Sequence, residues 1–423
     1  MDSLSFLTEN EVRSIQQQFG TPLFVYDQAT LESQADAVLA FPNAYGLTAR
    51  FAMKALPTAA VIQTLTARGL HIDASSGYEA QRALRVGVPA SHIQITAQEI
   101  PVNLKELIHA GVLYNACSIN QLNAYGALFP GTEISVRINP GLGSGHSNRT
   151  NVGGPSASFG IWHEHIPEVL AVAERHNLRI TGMHTHIGSG SDPGAWVQCA
   201  TLSLSIVAQF PDVTTLSLGG GFKVARMDHE VSADVQAIGT KIKEEFKAFA
   251  AEHGRELHLE VEPGTFLVAN AGVLLSTIMD VVDTGADGYN FIKLNAGMTE
   301  ILRPSMYGAQ HPLVLVSQDE ETRQEKDYLV VGHCCESGDV LTPEPGNPEG
   351  LLPRNFPEAK VGDVLAIEGA GAYCSGMPAK NYNAFPECAE VLRGRDGVMT
   401  LIRKRQTPEQ IWQNEILLLV LFT

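Results

Sequence analysis

Residues 45–68 read YGLTARFAMKALPTAAVIQTLTAR. A short apolar run, 45–53, ends at Lys54 and passes through Ala55-Leu56-Pro57 into a helical segment over 58–68. This is one strand followed by one helix, and its lysine stands at the junction. Lysine is rarely buried, because stripping water from an ammonium is costly. Lys54 either snorkels to solvent from the end of the strand or is kept there for chemistry, since a desolvated amine attacks carbonyls. The pentapeptide leaves both readings open.

The same unit recurs outward from this stretch. Apolar or β-rich runs at 71–73, 93–96, 114–118, 134–138, 180–186, 215–218 and 257–261 alternate with helical segments such as 78–86, 102–110, 166–175, 196–209 and 232–253. With 45–53 they make a series of strands spaced roughly 20–45 residues apart, each followed by a helix, which predicts a (β/α)8 TIM barrel. A doubly wound sheet fits the pattern too. Before the series, Thr8 and Glu11 form a capping box for a helix over 8–19, and 22–26 is a strand with Asp27 at its exit. After about residue 275 the helices stop. Runs at 274–282, 290–295, 313–316, 327–331, 364–367 and 389–392 are separated by Gly, Pro, Asn and Asp, which predicts an all-β domain. The expected organisation is an N-terminal segment 1–38 contributing to the β domain, a barrel over 39–274 and a discontinuous β-barrel domain closed by 275–423.

The chain has 423 residues, a net charge of −17 and 44% hydrophobic residues. The length calls for more than one core. The acidic balance argues against nucleic acid or an anionic membrane as partner, and no run reaches the roughly 18 apolar residues of a membrane span. The apolar stretch 416–422 is too short for one. Met1-Asp2-Ser3-Leu4 carries no signal-peptide features. Cys117, Cys199, Cys334, Cys335, Cys374 and Cys388 show no zinc spacing, and their scatter suits a reducing cytoplasm.

In a barrel, function gathers at the C-terminal ends of the strands. His184 and His186 end one strand and point to the same face. They could be core histidines or a metal pair, although no ligand-spaced carboxylate or cysteine stands beside them. A flat imidazole stacked on an aromatic cofactor suits the Gly188-Ser189 that follows. Gly219, Gly220 and Gly221 follow another strand. They make either a tight turn or a phosphate cradle open to backbone N–H groups. Glu262 ends the next strand, as a solvated residue or as a carboxylate that holds a proton on a ring nitrogen. Lys54, His186, the three glycines and Glu262 would share one rim. Together they describe a pyridoxal phosphate site.

The motifs of the chain resemble those of the fold-type III pyridoxal-phosphate decarboxylases, whose barrel is alanine-racemase-like, and among them the diaminopimelate decarboxylases. The resemblance runs from Tyr26 to about Leu392. It is carried by Phe51-Ala52-Met53-Lys54-Ala55, Asp73-Ala74-Ser75-Ser76-Gly77-Tyr78-Glu79, Arg137-Ile138-Asn139-Pro140, Ser158-Phe159-Gly160-Ile161, His184 to Ser189, the triple glycine and Glu262-Pro263-Gly264. Further on it is carried by Arg303-Pro304-Ser305-Met306-Tyr307-Gly308, Cys335-Glu336-Ser337-Gly338-Asp339, Gly371-Ala372-Tyr373 and Tyr382-Asn383. The resemblance implies that Lys54 bonds covalently to the cofactor and that His186 stacks on its ring. It places phosphate on Ser189, Gly219, Gly220 and Gly221 with Tyr373 nearby, and counts Asp73 and Gly264 among the cofactor's contacts. Glu262 would keep the ring nitrogen protonated. The site would be completed across a homodimer interface by Cys335, a proton donor, and Glu336, which meets a substrate amino group. Arg303 and Tyr307 would hold a distal carboxylate, a task suited to a guanidinium fork, with Tyr373 again close to the substrate. From the residues alone, Cys335 could be a small β-core cysteine, and Arg303 a loop anchor.

One position departs from the pattern. Diaminopimelate decarboxylases usually have arginine directly after Glu-Pro-Gly, whereas this chain has Thr265. The expectation is that Arg149, in the loop 141–155, substitutes for it on the substrate. The function implied is decarboxylation of meso-2,6-diaminopimelate at its D-centre to L-lysine and CO2. The alternatives are a decarboxylase of a related amino acid such as D-lysine or D-ornithine, a non-catalytic cofactor-binding relative, and a racemase.

Overall fold

The computed structural model describes residues 3–142, 153–186 and 190–418. The chain divides into two compact units, one formed by 1–28 with 270–423 and the other by 29–269. The helix Gln28–Leu39 falls almost wholly in the second unit. Its side chains explain this: Gln34 donates to the Phe266 carbonyl, and Asp36 accepts from Arg68. The dividing points therefore lie earlier than the 38/39 and 274/275 expected from the sequence.

The second unit is a closed parallel barrel. Its strands are Leu47–Ala52, His71–Ala74, Ile93–Thr96, Leu113–Ala116, Glu133–Asn139, Arg179–His184, Thr215–Ser217 and His258–Val261. Each pairs with its neighbours in parallel, and two contacts decide between barrel and open sheet. Leu259 registers with Leu47, and Asn115 and Ala116 register with Ser135 and Val136. The ring is thereby complete, which removes the doubly wound alternative. The strands read as near-continuous apolar runs because both of their faces are covered. Ile72, Ile95, Val136, Leu216 and Leu259 are all buried.

A charged pair also sits in this interior. Arg50 and Glu260, on adjoining strands, are 3% and 7% exposed, so neither charge has water to fall back on. They form a bidentate contact, Nη2 to Oε1 at 2.7 Å and Nε to Oε2 at 3.1 Å. This is the geometry in which a guanidinium and a carboxylate best offset their lost hydration.

The first unit is mostly sheet. The strand Leu23–Asp27 is buried along its whole length because it has neighbours on both sides. It pairs antiparallel with Gly272–Asp283 and parallel with Ala389–Arg393, so the N-terminal strand joins the C-terminal sheet as expected. Leu23, Val25, Val273 and Leu275 alternate onto one face and meet Val12 and Ile15 of the helix Glu9–Phe19. Thr8 caps that helix in a reciprocal box with Glu11. The expectation that helices end after about 275 is corrected by Arg303–Tyr307 and Pro408–Trp412. Both are single short turns with proline at their start, where its missing N–H costs nothing.

Glu260→Ala should leave Arg50 buried and uncompensated and lower stability by about 3–5 kcal/mol. Arg50→Met with Glu260→Leu should recover most of that loss. Denaturant midpoints of the three proteins check this; a Glu260→Ala midpoint equal to wild type would show that the pair is not needed.

Candidate functional site

The sheet ladder continues beyond the barrel strands and assembles the rim. The Ala52 N–H donates to the Pro263 carbonyl at 3.1 Å, Glu262 N–H to the Gly219 carbonyl at 2.9 Å, and Thr185 N–H to the Ser217 carbonyl at 2.9 Å. These bonds fix the segments carrying Lys54, Glu262, the glycine run and His186 against one another. Lys54 itself lies in the short 3-10 turn Met53–Ala55, exposed between two buried neighbours.

Glu262 is 5% exposed, and each of its carboxylate oxygens has a hydrogen-bond partner. His184 Nε2 lies 2.9 Å from Oε2, and Ser217 Oγ donates to Oε1 at 2.9 Å. An ionised carboxylate only accepts, so Nε2 carries the proton. Burial alone would raise the Glu262 pKa. The electrostatic attraction and hydrogen bond of His184, with the Ser217 hydrogen bond, outweigh it and hold the group well below the ordinary carboxylate range. Glu262 is therefore an anion in the barrel interior.

Asp73 responds in the opposite direction. It is the penultimate residue of the strand His71–Ala74 and registers with Ala52, one strand from Lys54. Burial first, then the Glu262 charge, push its pKa up to about 7, with Lys54 partly opposing. Its Oδ1 is buried without a hydrogen-bond partner among the described residues. Glu79, at the start of the helix Gly77–Arg85, accepts the Ser75 N–H at 2.7 Å and is also raised by burial.

His186 is half-buried, and its ring lies over Gly219. A Cβ at Gly219 would come within 2.8 Å of that ring, and the glycine's φ of +70° is one that other residues rarely adopt. A Cβ at Gly220 would come 2.2 Å from the Glu262 carbonyl oxygen. Glycine is thus required at both positions. Burial, then Arg137, His184 and Lys54, lower the His186 pKa far below its usual value, so the imidazole is neutral. Gly264 is buried and precedes the helix Thr265–Val268, which Thr265 opens half-buried.

The barrel unit therefore brings together Lys54, Asp73, His186, Gly219, Gly220, Gly221, Glu262 and Gly264. Ser189 and Arg149 lie outside the described residues. The sequence reading missed three contributors. His184 was seen only as half of a histidine pair, but it is the partner that keeps Glu262 ionised. Ser217, the hydroxyl-bearing last residue of the strand Thr215–Ser217, was the available signal for the second hydrogen bond. Arg137 is 8% exposed, with its guanidinium 5.2 Å from the centre of the Phe159 ring, and it depresses His186. Donor atoms of His184, His186 and Glu262 lie within 4.8 Å of one another, but both Glu262 oxygens are already hydrogen-bonded. A primary amine, a neutral flat imidazole, a buried anion and a glycine run open to backbone suit a phosphorylated aromatic aldehyde.

The other predicted residues belong to the mostly-sheet unit. Arg303 opens the helix Arg303–Tyr307, half-buried like Tyr307, and its Nε is buried without a hydrogen-bond partner among the described residues. Tyr373 is half-buried with φ +56°, a left-handed backbone that bulky residues seldom hold. Cys335 and Glu336 are exposed neighbours on a loop, which removes the reading of Cys335 as a core cysteine.

Residues 31–269 match the family described as pyridoxal-dependent decarboxylase, pyridoxal binding domain. The chain is 36% identical over 406 residues to the diaminopimelate decarboxylase of Streptomyces coelicolor, covering 94% of this chain and 90% of the relative. It is 34% identical over 420 residues to that of Escherichia coli K12, covering 97% of each. A crystal structure of diaminopimelate decarboxylase superposes with a TM-score of 0.88 at 33% identity, covering 96% of both chains.

The Asp73 environment predicts a pH dependence. Its folded pKa is raised, so its protonated form stabilises the fold, and that contribution is lost as pH rises from about 4 to about 7. Asp73→Asn cannot ionise. Thermal unfolding of the cofactor-free proteins should show the variant gaining on wild type across that interval; a constant difference in Tm from pH 4.5 to 8 would contradict it.

Proposed function

The chain belongs to the diaminopimelate decarboxylases, within the pyridoxal-dependent decarboxylases, and from that premise we propose that it removes the D-centre carboxylate of meso-2,6-diaminopimelate as CO2. A proton takes the place of the lost carboxylate, leaving L-lysine. The observation that carries the chemistry is the buried Glu262, kept ionised by His184 and Ser217 beside the lysine-bearing strand end.

Pyridoxal 5'-phosphate fits the residues present. Lys54 would supply the amine that binds it covalently, Glu262 would hold the proton on its ring nitrogen, and His186 would lie against its ring. Gly219, Gly220 and Gly221, with Ser189 and Tyr373, would take the phosphate, and the unpartnered Asp73 Oδ1 and Gly264 would complete the contacts. Bound there, the cofactor supplies an electron sink for the pair left by departing CO2. The neutral state of His186 matters because a second cation would compete with the protonated ring nitrogen for Glu262.

The remaining roles fall to the mostly-sheet unit. Cys335 would deliver the proton to the carbon that lost CO2, and Glu336 would accept the substrate's second ammonium. Arg303 and Tyr307 would hold the distal carboxylate, with Tyr373 nearby and Arg149 serving in place of the arginine absent at 265. The exposure of Cys335 and Glu336 in the single chain supports a homodimer in which they complete the partner's site. A cytoplasmic location is supported by cysteines that form no disulfide among the described residues, and no helix among the described residues is long and apolar enough to cross a membrane.

Thr265 favours a second reading, decarboxylation of a diamino acid lacking the distal carboxylate, such as D-lysine or D-ornithine. Purified protein with pyridoxal phosphate should release CO2 from meso-diaminopimelate faster than from either of these. Faster turnover of one of them would replace the first reading with the second. Lys54→Ala should abolish turnover and the cofactor's absorbance band near the visible edge. Arg303→Ala should raise KM for meso-diaminopimelate about 10- to 100-fold with a smaller change in kcat, the loss expected for a charge-assisted hydrogen bond.

A further inference from the structure

Cys335 and Glu336 are exposed, and a residue that must meet a reacting carbon cannot be left on a loose loop. Their loop follows the strand Glu325–Val331 and is closed at its base. Val331 bridges Val340, and the Gly332 N–H donates to the Asp339 carbonyl at 2.8 Å. Side chains then grip two successive amides at its tip. Asp339 Oδ2 accepts the Cys334 N–H at 3.0 Å while its Oδ1 accepts the Met298 N–H at 2.7 Å. Asn383 Oδ1 accepts the Cys335 N–H at 2.9 Å.

Asn383 comes from a segment far along the chain, and a second contact sets that segment in place. His333, two residues before Cys335, stacks on Phe385, two residues after Asn383, with ring centroids 3.6 Å apart and planes 8° from parallel. The His333 Nε2 is tied to Thr299 Oγ1 at 2.6 Å. The ring stack and the amide hydrogen bond are thus two fixed points between the same two segments. Burial lowers the His333 pKa to about 4, so the ring stays neutral near neutral pH and the stack does not change with charge.

The backbone around Asn383 is unusual. Asn381, Asn383 and Ala384 have φ of +58°, +51° and +61°. Left-handed backbone at non-glycine residues is disfavoured and persists only where the surroundings impose it. Here Asn381 Nδ2 donates to the Phe385 carbonyl at 3.0 Å and to Gln406 Oε1 at 2.7 Å, closing the turn. The outcome of that forced conformation is that the Asn383 amide oxygen faces the Cys335 N–H.

We infer that Asn383 is a positioning residue: the turn 381–385 clamps the loop that presents Cys335 and Glu336, and Asn383 fixes the Cys335 backbone. The inference rests on the roles proposed above for those two residues. An exposed hydrogen bond adds little to global stability, so its function lies in placement, and misplacing a reacting group by about 1 Å costs on the order of a hundredfold in rate.

Two substitutions separate placement from folding. Asn383→Gly removes the acceptor yet accepts the positive φ without strain. Asn383→Asp keeps an acceptor and tolerates the same backbone. In the holoenzyme, hydrogen–deuterium exchange of the peptide spanning Cys334 to Asp339 should quicken in Asn383→Gly, with Tm within about 2 °C of wild type. The kcat for meso-diaminopimelate should fall about 10- to 100-fold, and Asn383→Asp should restore both exchange and kcat. Unchanged exchange in Asn383→Gly, or an Asn383→Asp protein as impaired as Asn383→Gly, overturns the clamp. A wild-type enzyme that releases no CO2 from meso-diaminopimelate overturns the proposed substrate instead, and the exchange comparison still decides the clamp.

Discussion

A carboxylate cannot stay ionised inside a barrel unless its neighbours replace the water it has lost. Glu262 meets that condition through His184 and Ser217, which come from the two strands next in order around the ring. The bonds therefore do more than set one charge. They require the strand ends at His184, Ser217 and Val261 to keep their relative heights, because a slip of one residue would turn the partner side chain to the other face. The anion in turn acts on its surroundings, helping to keep Asp73 protonated up to about pH 7. Two carboxylates in one site are thus held in different states near neutrality, as acid–base chemistry requires.

The rim is built largely from backbone, and this explains its composition. Hydrogen bonds from Ala52 to Pro263 and from Glu262 to Gly219 carry sheet pairing past the last regular strand residues. Where the segments come so close, side chains have no room: Gly220 abuts the Glu262 carbonyl, and Gly219 abuts His186. The mostly-sheet unit reaches rigidity by another route. Its loops hold Tyr373, Asn381, Asn383 and Ala384 in left-handed backbone, and in the turn 381–385 the Phe385 ring stack and the hydrogen bonds donated by the Asn381 amide keep the chain there. Strained backbone on the segments carrying proposed site residues is what preorganisation looks like in a loop.

Much of this was legible in the sequence, for a physical reason. A parallel strand covered on both faces is largely apolar, so the barrel strands stand out as runs, and the polar residues near their ends mark the rim. Lys54, His186 and Glu262 were found in that way. What pairs across the barrel was not legible. Arg50 and Glu260 carry no sequence signal of their pairing, because only the ring closure brings the guanidinium to the carboxylate. Arg137 was quoted in a motif without its effect on His186, since that effect depends on burial of both. In the mostly-sheet unit the strands Pro343–Glu344, Asn347–Leu351 and Arg354–Pro357 escaped detection. They are short, carry Pro or Gly, and exist because a partner strand supplies the ladder, not because of local preference.

The chemistry and the choice of substrate rest on different supports in this chain, and Thr265 shows the consequence. The groups proposed to act on the cofactor are tied together by buried bonds: Glu262 to His184 and Ser217, and the glycine run to its own neighbours. Changing any one of them disturbs the others. The residue after Gly264 is outside that network, because both Glu262 oxygens are satisfied without it. Arg303 and Tyr307, proposed for the distal carboxylate, are half-buried and carried on one short turn. An arginine can therefore give way to threonine at 265 while Lys54, His186 and Glu262 keep their geometry and charge. Selection can then rebuild recognition of the substrate's far end from other segments without touching the bond-breaking machinery. Constraint is strict where charge is buried and loose where it is solvated, and that boundary passes between Glu262 and Thr265.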